Sequence, residues 1–204
     1  KEFLLLDTVK TELGITDAAD DGLLVEYILR ASDFIVQYTG REFAKEQVKE
    51  TLASTGRPTM LLQRTPVLSV DAVTLDGTTV DATTYSIKDA DAGILWRERG
   101  WDSTTIWAQA VEPWPTQYGR LDWAITYTAG YVMPGDPAAA TTLPMDLQMA
   151  CSAIVKAWYH ERDENANVVK RSVGEAAETR TFGSEMGGIP QVALSLLKPW
   201  RRLV

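Results

Sequence analysis

The hydrophobic period of this chain changes twice, and that limits its fold more than any single motif does. From Asp20 to Tyr38, the residues Leu24, Ile28, Ala31, Ile35 and Tyr38 recur at spacings of three and four, as on one face of a helix. Between Glu46 and Tyr131 the spacing falls to two and turn residues recur, the pattern of short antiparallel strands. From Pro144 the helical spacing returns, with Leu147, Cys151, Ile154 and Trp158 in one stripe. A sheet that interrupts a set of helices predicts an α+β fold: a helical bundle with an inserted small antiparallel β-sheet, then an extended C-terminal arm ending in a short helix.

Local chemistry sets the expected boundaries. A first helix is predicted over 7–13, with Asp7 as N-cap and Gly14 as its stop. The second, over 20–38, opens on Asp20 and Asp21 at the positive end of its dipole and closes at Gly40. Full burial of Leu24, Ile28 and Ile35 contributes roughly 1.5–3 kcal/mol each, enough to make this a core helix. Within the β region, 46–131, strands are expected at Val48–Leu52, Met60–Gln63, Leu68–Leu75, Tyr85–Lys88, Gly93–Trp96 and Leu121–Ala129, with a turn at Asp76-Gly77. In the last of these, Leu121, Trp123, Ile125, Tyr127 and Ala129 face one way, so one face is buried. The third helix is expected over 144–161, where Pro144 loses nothing by lacking an N–H. A main domain over 1–164 is thus followed by an arm, short helix and basic tail over 165–204.

Composition then removes several classes of function. With 45% hydrophobic and 24% charged residues in 204, the chain has the makeup of a folded domain. Its single cysteine, Cys151, forms no internal disulfide, and no Cys/His cluster suggests zinc. The longest apolar runs, such as Phe3–Leu6, fall far short of the ~20 residues that span a bilayer, so a soluble, unsecreted protein without membrane contact is expected. A net charge of −8 opposes tight DNA binding, which needs clustered Lys and Arg. An acidic wall can still surround DNA and leave it mobile.

Residues able to carry chemistry have plainer readings beside them. His160, the only histidine, stands at a helix end where its charge meets the negative dipole. Cys151 lies on an apolar stripe, where a free thiol behaves as a small hydrophobe. Asp89 with Asp91, and Glu161 with Asp163 and Glu164, read as solvated acids at a turn and a helix end. Gly187-Gly188 neither follows a strand nor opens a Lys-Ser/Thr helix, so it forms no phosphate loop. No catalytic, cofactor-binding or metal residues are predicted, and the chain is not expected to be an enzyme.

The order of the motifs resembles the head–tail connector (adaptor) proteins of tailed bacteriophages, gene transfer agent adaptors included. The resemblance rests on Tyr38-Thr39-Gly40-Arg41-Glu42-Phe43, Pro66-Val67-Leu68-Ser69-Val70, the Asp76-Gly77 turn, Thr126 to Tyr131, a proline-initiated helix, and a closing stretch from Ile189 to Arg202. It covers nearly the whole chain, and the specific part is the fixed order. The segment from Arg97 to Arg120, with Trp101, Trp107 and Trp114, is longer than compact members have.

The resemblance implies a virion subunit at the head–tail junction, made in the bacterial host cytoplasm. It would form a ring of identical copies, expected to be twelvefold, joining the portal to the tail and continuing the DNA channel without sequence-specific binding. Implied partners are the portal and a stopper or tail-completion protein. Lys198, Trp200, Arg201 and Arg202 are the expected docking residues, since Arg and Trp anchor interfaces; the plainer reading is a basic helix end meeting its own dipole. Phe182, in the Gly-punctuated segment from Asn165 to Gly188, and Trp101, Trp107 and Trp114 are expected to contact the portal or a neighbouring subunit, although the Trp-rich segment could equally pack on its own domain. Two rivals stand: a stopper-type neck protein, and a cytoplasmic hydrolase using acidic residues such as Asp89 or Glu161.

Overall fold

The computed structural model describes residues 1–101, 122–137, 139–162, 171–173, 176–178 and 188–202. The chain forms two compact units, Lys1–Glu42 with Val132–Val204, and Phe43–Tyr131. It mixes α and β structure, with four α-helices among the described residues, all of them in the first unit.

In that first unit the helices are α1 (Leu6–Leu13), α2 (Asp21–Thr39), α3 (Met145–Glu161) and α4 (Gln191–Leu197). Both early helices end as expected, on Gly14 and Gly40 with φ of 72° and 64°, a conformation open to a residue without Cβ. Helix α2 also opens as expected, with Asp20 as its N-cap residue and Asp21 in its first turn, whereas the start of α1 differs. Helix α1 begins one residue before Asp7, on Leu5 as N-cap, and neither Leu5 nor Asp20 caps through its side chain. Asp20 is instead drawn to α3, where its carboxylate accepts from Tyr159 Oη at 2.7 Å and pairs with Arg162 at 2.9 Å. Those two donors hold its pKa below the usual carboxylate value.

The apolar stripes meet as their spacing requires. Leu24, Ile28, Ala31 and Ile35 of α2 are buried, as are Leu147, Ala150, Cys151, Ile154 and Val155 of α3. Buried Ser32 satisfies its hydroxyl on Ile28 O at 2.7 Å and accepts from Phe3 N at 3.1 Å, which ties the N-terminal strap to α2. Ala193 and Leu197 of α4 are fully buried, and α4 packs on α2 and α3. The closing helix packs within this unit because its two apolar residues are four apart and need a surface to cover them. Within the expected arm, β8 (Arg171–Val173) and β9 (Ala176–Glu178) pair antiparallel, so that stretch is not wholly extended chain.

The described residues of the second unit form two antiparallel sheets. One has the order β1-β7-β3-β4, from β1 (Glu46–Ala53), β7 (Asp122–Ala129), β3 (Val67–Leu75) and β4 (Thr78–Thr79). The other, β2-β6-β5, joins β2 (Thr59–Leu61), β6 (Ile94–Arg97) and β5 (Tyr85–Asp89). Asp76 and Gly77 both have positive φ, 48° and 79°, as a two-residue hairpin link between β3 and β4 requires. Along β7, Trp123, Ile125, Tyr127 and Ala129 are fully buried while Ala124, Thr126 and Thr128 are half-buried, the alternation the sequence displays. They share one apolar cluster with Val67 and Val73 of the first sheet, with Met60 and Leu95 of the second, and with Trp101.

Entry and exit of this unit are clasped together. Tyr131 N donates to Phe43 O at 2.7 Å and Lys45 N to Tyr131 O at 2.8 Å. Gly130 lies in the clasp with φ of 103°, and a Cβ there would stand 2.5 Å from Ala44 O. Gly130→Ala is therefore expected to destabilise the protein by about 1–3 kcal/mol, from φ strain and the clash together. A thermal melt checks this, and a variant as stable as the parent would show that the clasp tolerates a side chain.

Candidate functional site: the basic tail on the end of helix α2

The C-terminal tail is seated on α2. After Leu197 the chain makes one 3₁₀ turn, Lys198–Trp200, and Arg201 N then donates to Lys198 O at 3.3 Å. Arg202 N donates to Thr39 O at 2.8 Å, filling a carbonyl that α2 leaves open at its last residue. The Arg201 guanidinium lies 5.7 Å from the ring centre of Tyr38, within cation–π range. No basic residue occurs in the last turn of α2 itself, so the tail brings positive charge to the negative end of its dipole.

This modifies the plainer reading of the tail. Arg201 and Arg202 reach the end of a helix more than 150 residues earlier in the chain, while Lys198, the C-cap residue of α4, stays at the end of its own. Burial is nevertheless slight: Lys198, Arg201 and Arg202 are exposed and Trp200 is half-buried, so the basic groups remain presented outward. Arg41, directly after Gly40, adds a fourth positive charge close to the seat. The seat residues Tyr38, Thr39 and Gly40 were visible in the sequence only as a helix-closing motif. A single sequence carries no sign that a segment so distant returns to them.

The other expected contacts fare differently. Trp101 is fully buried in the second unit, where its ring meets Trp123 edge-on at 5.0 Å and its Nε1 donates to Pro58 O at 3.1 Å. This corrects its placement as a partner contact, since an indole that fills its own core has no face left for a neighbour. Trp107, Trp114 and Phe182 lie outside the described residues, as do Asp163 and Glu164.

Among the described residues, neither Cys151 nor Asp89 belongs to a reactive group. Burial pushes the Cys151 thiol up to about 12, against the smaller opposing effect of a hydrogen bond with Ser32. The nucleophilic thiolate is thus absent near neutrality. Iodoacetamide at pH 8 is expected to leave Cys151 unmodified in native protein and to alkylate it only on unfolding in urea; rapid native labelling, read by intact mass, would contradict this burial. Asp89 accepts from Ala92 N at 2.9 Å within its turn, and His160 is exposed at the end of α3 beside Tyr159. Among the described residues no three His, Cys, Asp or Glu side chains converge on a point that could hold a metal, and no helix is long and apolar enough to cross a membrane.

Comparison with known proteins adds what geometry alone does not give. The family model described as head completion protein matches residues 2–203. In fold, the chain is similar to one in the neck of an empty GTA particle computed with C6 symmetry, at a TM-score of 0.55 and 19% identity over 99% of this chain and 91% of that one. A chain from the virion of a native gene transfer agent (GTA) particle gives the same values. Another, in the neck of a native GTA particle computed with C12 symmetry, matches at 0.52 and 18%, over 100% of this chain and 95% of that one. No curated protein matches.

Proposed function

The chain belongs to the head completion protein family, and from that premise we propose that it is the adaptor subunit of a bacteriophage or gene transfer agent neck, forming the ring that joins the portal to the tail. Family membership makes it a structural virion protein and not an enzyme. The observation that carries the proposal is the span of the family match, residues 2–203, which takes in both units and the tail. The neck particles computed with C6 and C12 symmetry, whose chains share this fold, support a closed ring of identical copies.

The proposed ring is twelvefold and continues the DNA channel. A net charge of −8 favours that role, since it discourages the phosphate contacts that would stall passing DNA. The exposed basic tail, Lys198 with Arg201 and Arg202 and with Trp200 among them, is proposed to dock on the portal, and a stopper or tail-completion protein takes the opposite side of the ring. The subunit is made in the host cytoplasm and ends in the virion, at the head–tail junction.

Imaging of the purified protein mixed with purified portal tests the whole reading. A closed ring with a central hole, stacked on the portal, is expected. Protein that never leaves the monomer, with portal or without, would overturn the assignment, and a ring that binds tail protein but ignores portal would move it to the stopper position.

A further inference from the structure

Among the described residues, two faces carry contiguous large apolar side chains that remain exposed. On α3, Met145 and Met149 are 65% and 53% exposed and continue into half-buried Ala153, one residue per turn along one stripe. On the outer face of the β2-β6-β5 sheet, Leu61 is 64% exposed and directly opposite Ile94, with Trp96 two residues further along the strand and 37% exposed. A shallow groove of about 250 Å³ at Trp96 is lined also by Ser86, Tyr85 and Arg99. Single exposed hydrophobes are ordinary, but neighbouring ones of this size mark a surface that something covers.

We propose that these faces are the two halves of one contact between successive copies of the chain, with the Met145–Met149 stripe of one copy lying on Leu61, Ile94 and Trp96 of the next. The inference rests on the ring reading and names the surfaces that close the ring. A cyclic assembly of more than two copies needs two different patches on each subunit, because a self-complementary patch stops at the dimer. The described residues offer two, one helical and one on a sheet. Their chemistry matches: methionine is flexible and polarizable and packs well against aromatic rings, and Trp is the residue type that most often anchors an interface. Their rims differ in net sign, since exposed Asp146 flanks the methionine stripe while Arg97 and Arg99 outnumber Glu98 along the groove beside Trp96. Opposite charges at a rim select the partner and its register more than they add affinity.

The test is sedimentation velocity of the full chain, alone and with purified portal, for the parent, Met149→Glu, Trp96→Glu and an equal mixture of the two variants. Each substitution puts a charge in an exposed apolar face, so helix content and melting temperature should stay near the parent's; Leu61→Glu replaces Trp96→Glu if that variant does not fold. Each variant alone is expected to associate about thirtyfold more weakly, the loss typical of an interface anchor. The mixture is expected to form heterodimers and stop there, because one copy keeps an intact sheet face and the other an intact helix face. A variant that still forms rings as the parent does, or that dimerises with itself, overturns the assignment, and so does a mixture that stays monomeric. If the parent forms rings that neither substitution disturbs, this contact is wrong and the adaptor reading survives. If the parent never associates, the adaptor reading itself fails.

Discussion

Trp123→Ala is expected to destabilise the sheet unit by about 3–5 kcal/mol, the range for deleting a buried aromatic side chain. Trp123 lies on β7, the strand that both β1 and β3 pair with, opposite Leu52 on one side and Leu75 on the other. Its ring is fully buried, meets Trp101 edge-on, and carries the Arg97 guanidinium 4.9 Å from its centre. Removing it empties a space bordered by both sheets, and backbone hydrogen bonds on both sides of β7 hinder collapse into it. Since domains have net stabilities of about 5–15 kcal/mol, the loss takes a large share of the total. Urea denaturation measures it, and the exposed Trp96→Ala serves as comparison at under about 1 kcal/mol. A loss no greater at Trp123 than at Trp96 would mean that the sheets do not share this core.

Reversal of two tail charges should have the largest effect on binding. With Arg201→Glu and Arg202→Glu together, affinity for portal is expected to fall about a hundredfold or more, as for loss of paired arginine anchors. Arg202 reaches Thr39 through its backbone N–H and keeps that bond, whereas Arg201→Glu also gives up the cation–π contact with Tyr38. The single variant Arg202→Glu is therefore the arm that changes charge while disturbing the seat least. Parent binding should also weaken as salt is raised from low to physiological strength, while the residual binding of the variant should not, since exposed charges are screened over about 10 Å at 0.1 M. Unchanged portal affinity in the variant, measured by surface plasmon resonance, would remove the tail from the interface.

The fold was legible where pattern is local. Period-three-and-four spacing located α2 and α3 within a residue of their observed ends, since each buries one stripe and each early helix terminates on a residue suited to its stop. The alternation of β7 was legible because one side of that strand is covered by its own unit. What could not be read was long-range. Asp20 and Asp21 do open α2, but nothing local indicates that the Asp20 carboxylate also meets Tyr159 and Arg162, about 140 residues on. Trp101 looked like an interface residue because it opens an aperiodic stretch; periodicity says nothing about a single indole that folds back onto Pro58 and Trp123. The candidate site was half legible: the basic charges could be read directly, but their seat at Tyr38 and Thr39 exists only once the chain has closed on itself.

The clasp between Phe43 and Tyr131 carries a consequence for how such a subunit can diversify. Because the insert leaves beside the point where it enters, the rest of the chain needs only that its two ends stay together. Loops between its strands can lengthen or be exchanged without breaking an α-helix, as insertions succeed where chain ends lie close. The loops of the insert can thereby change while the helices that precede and follow it in the chain keep their sequence.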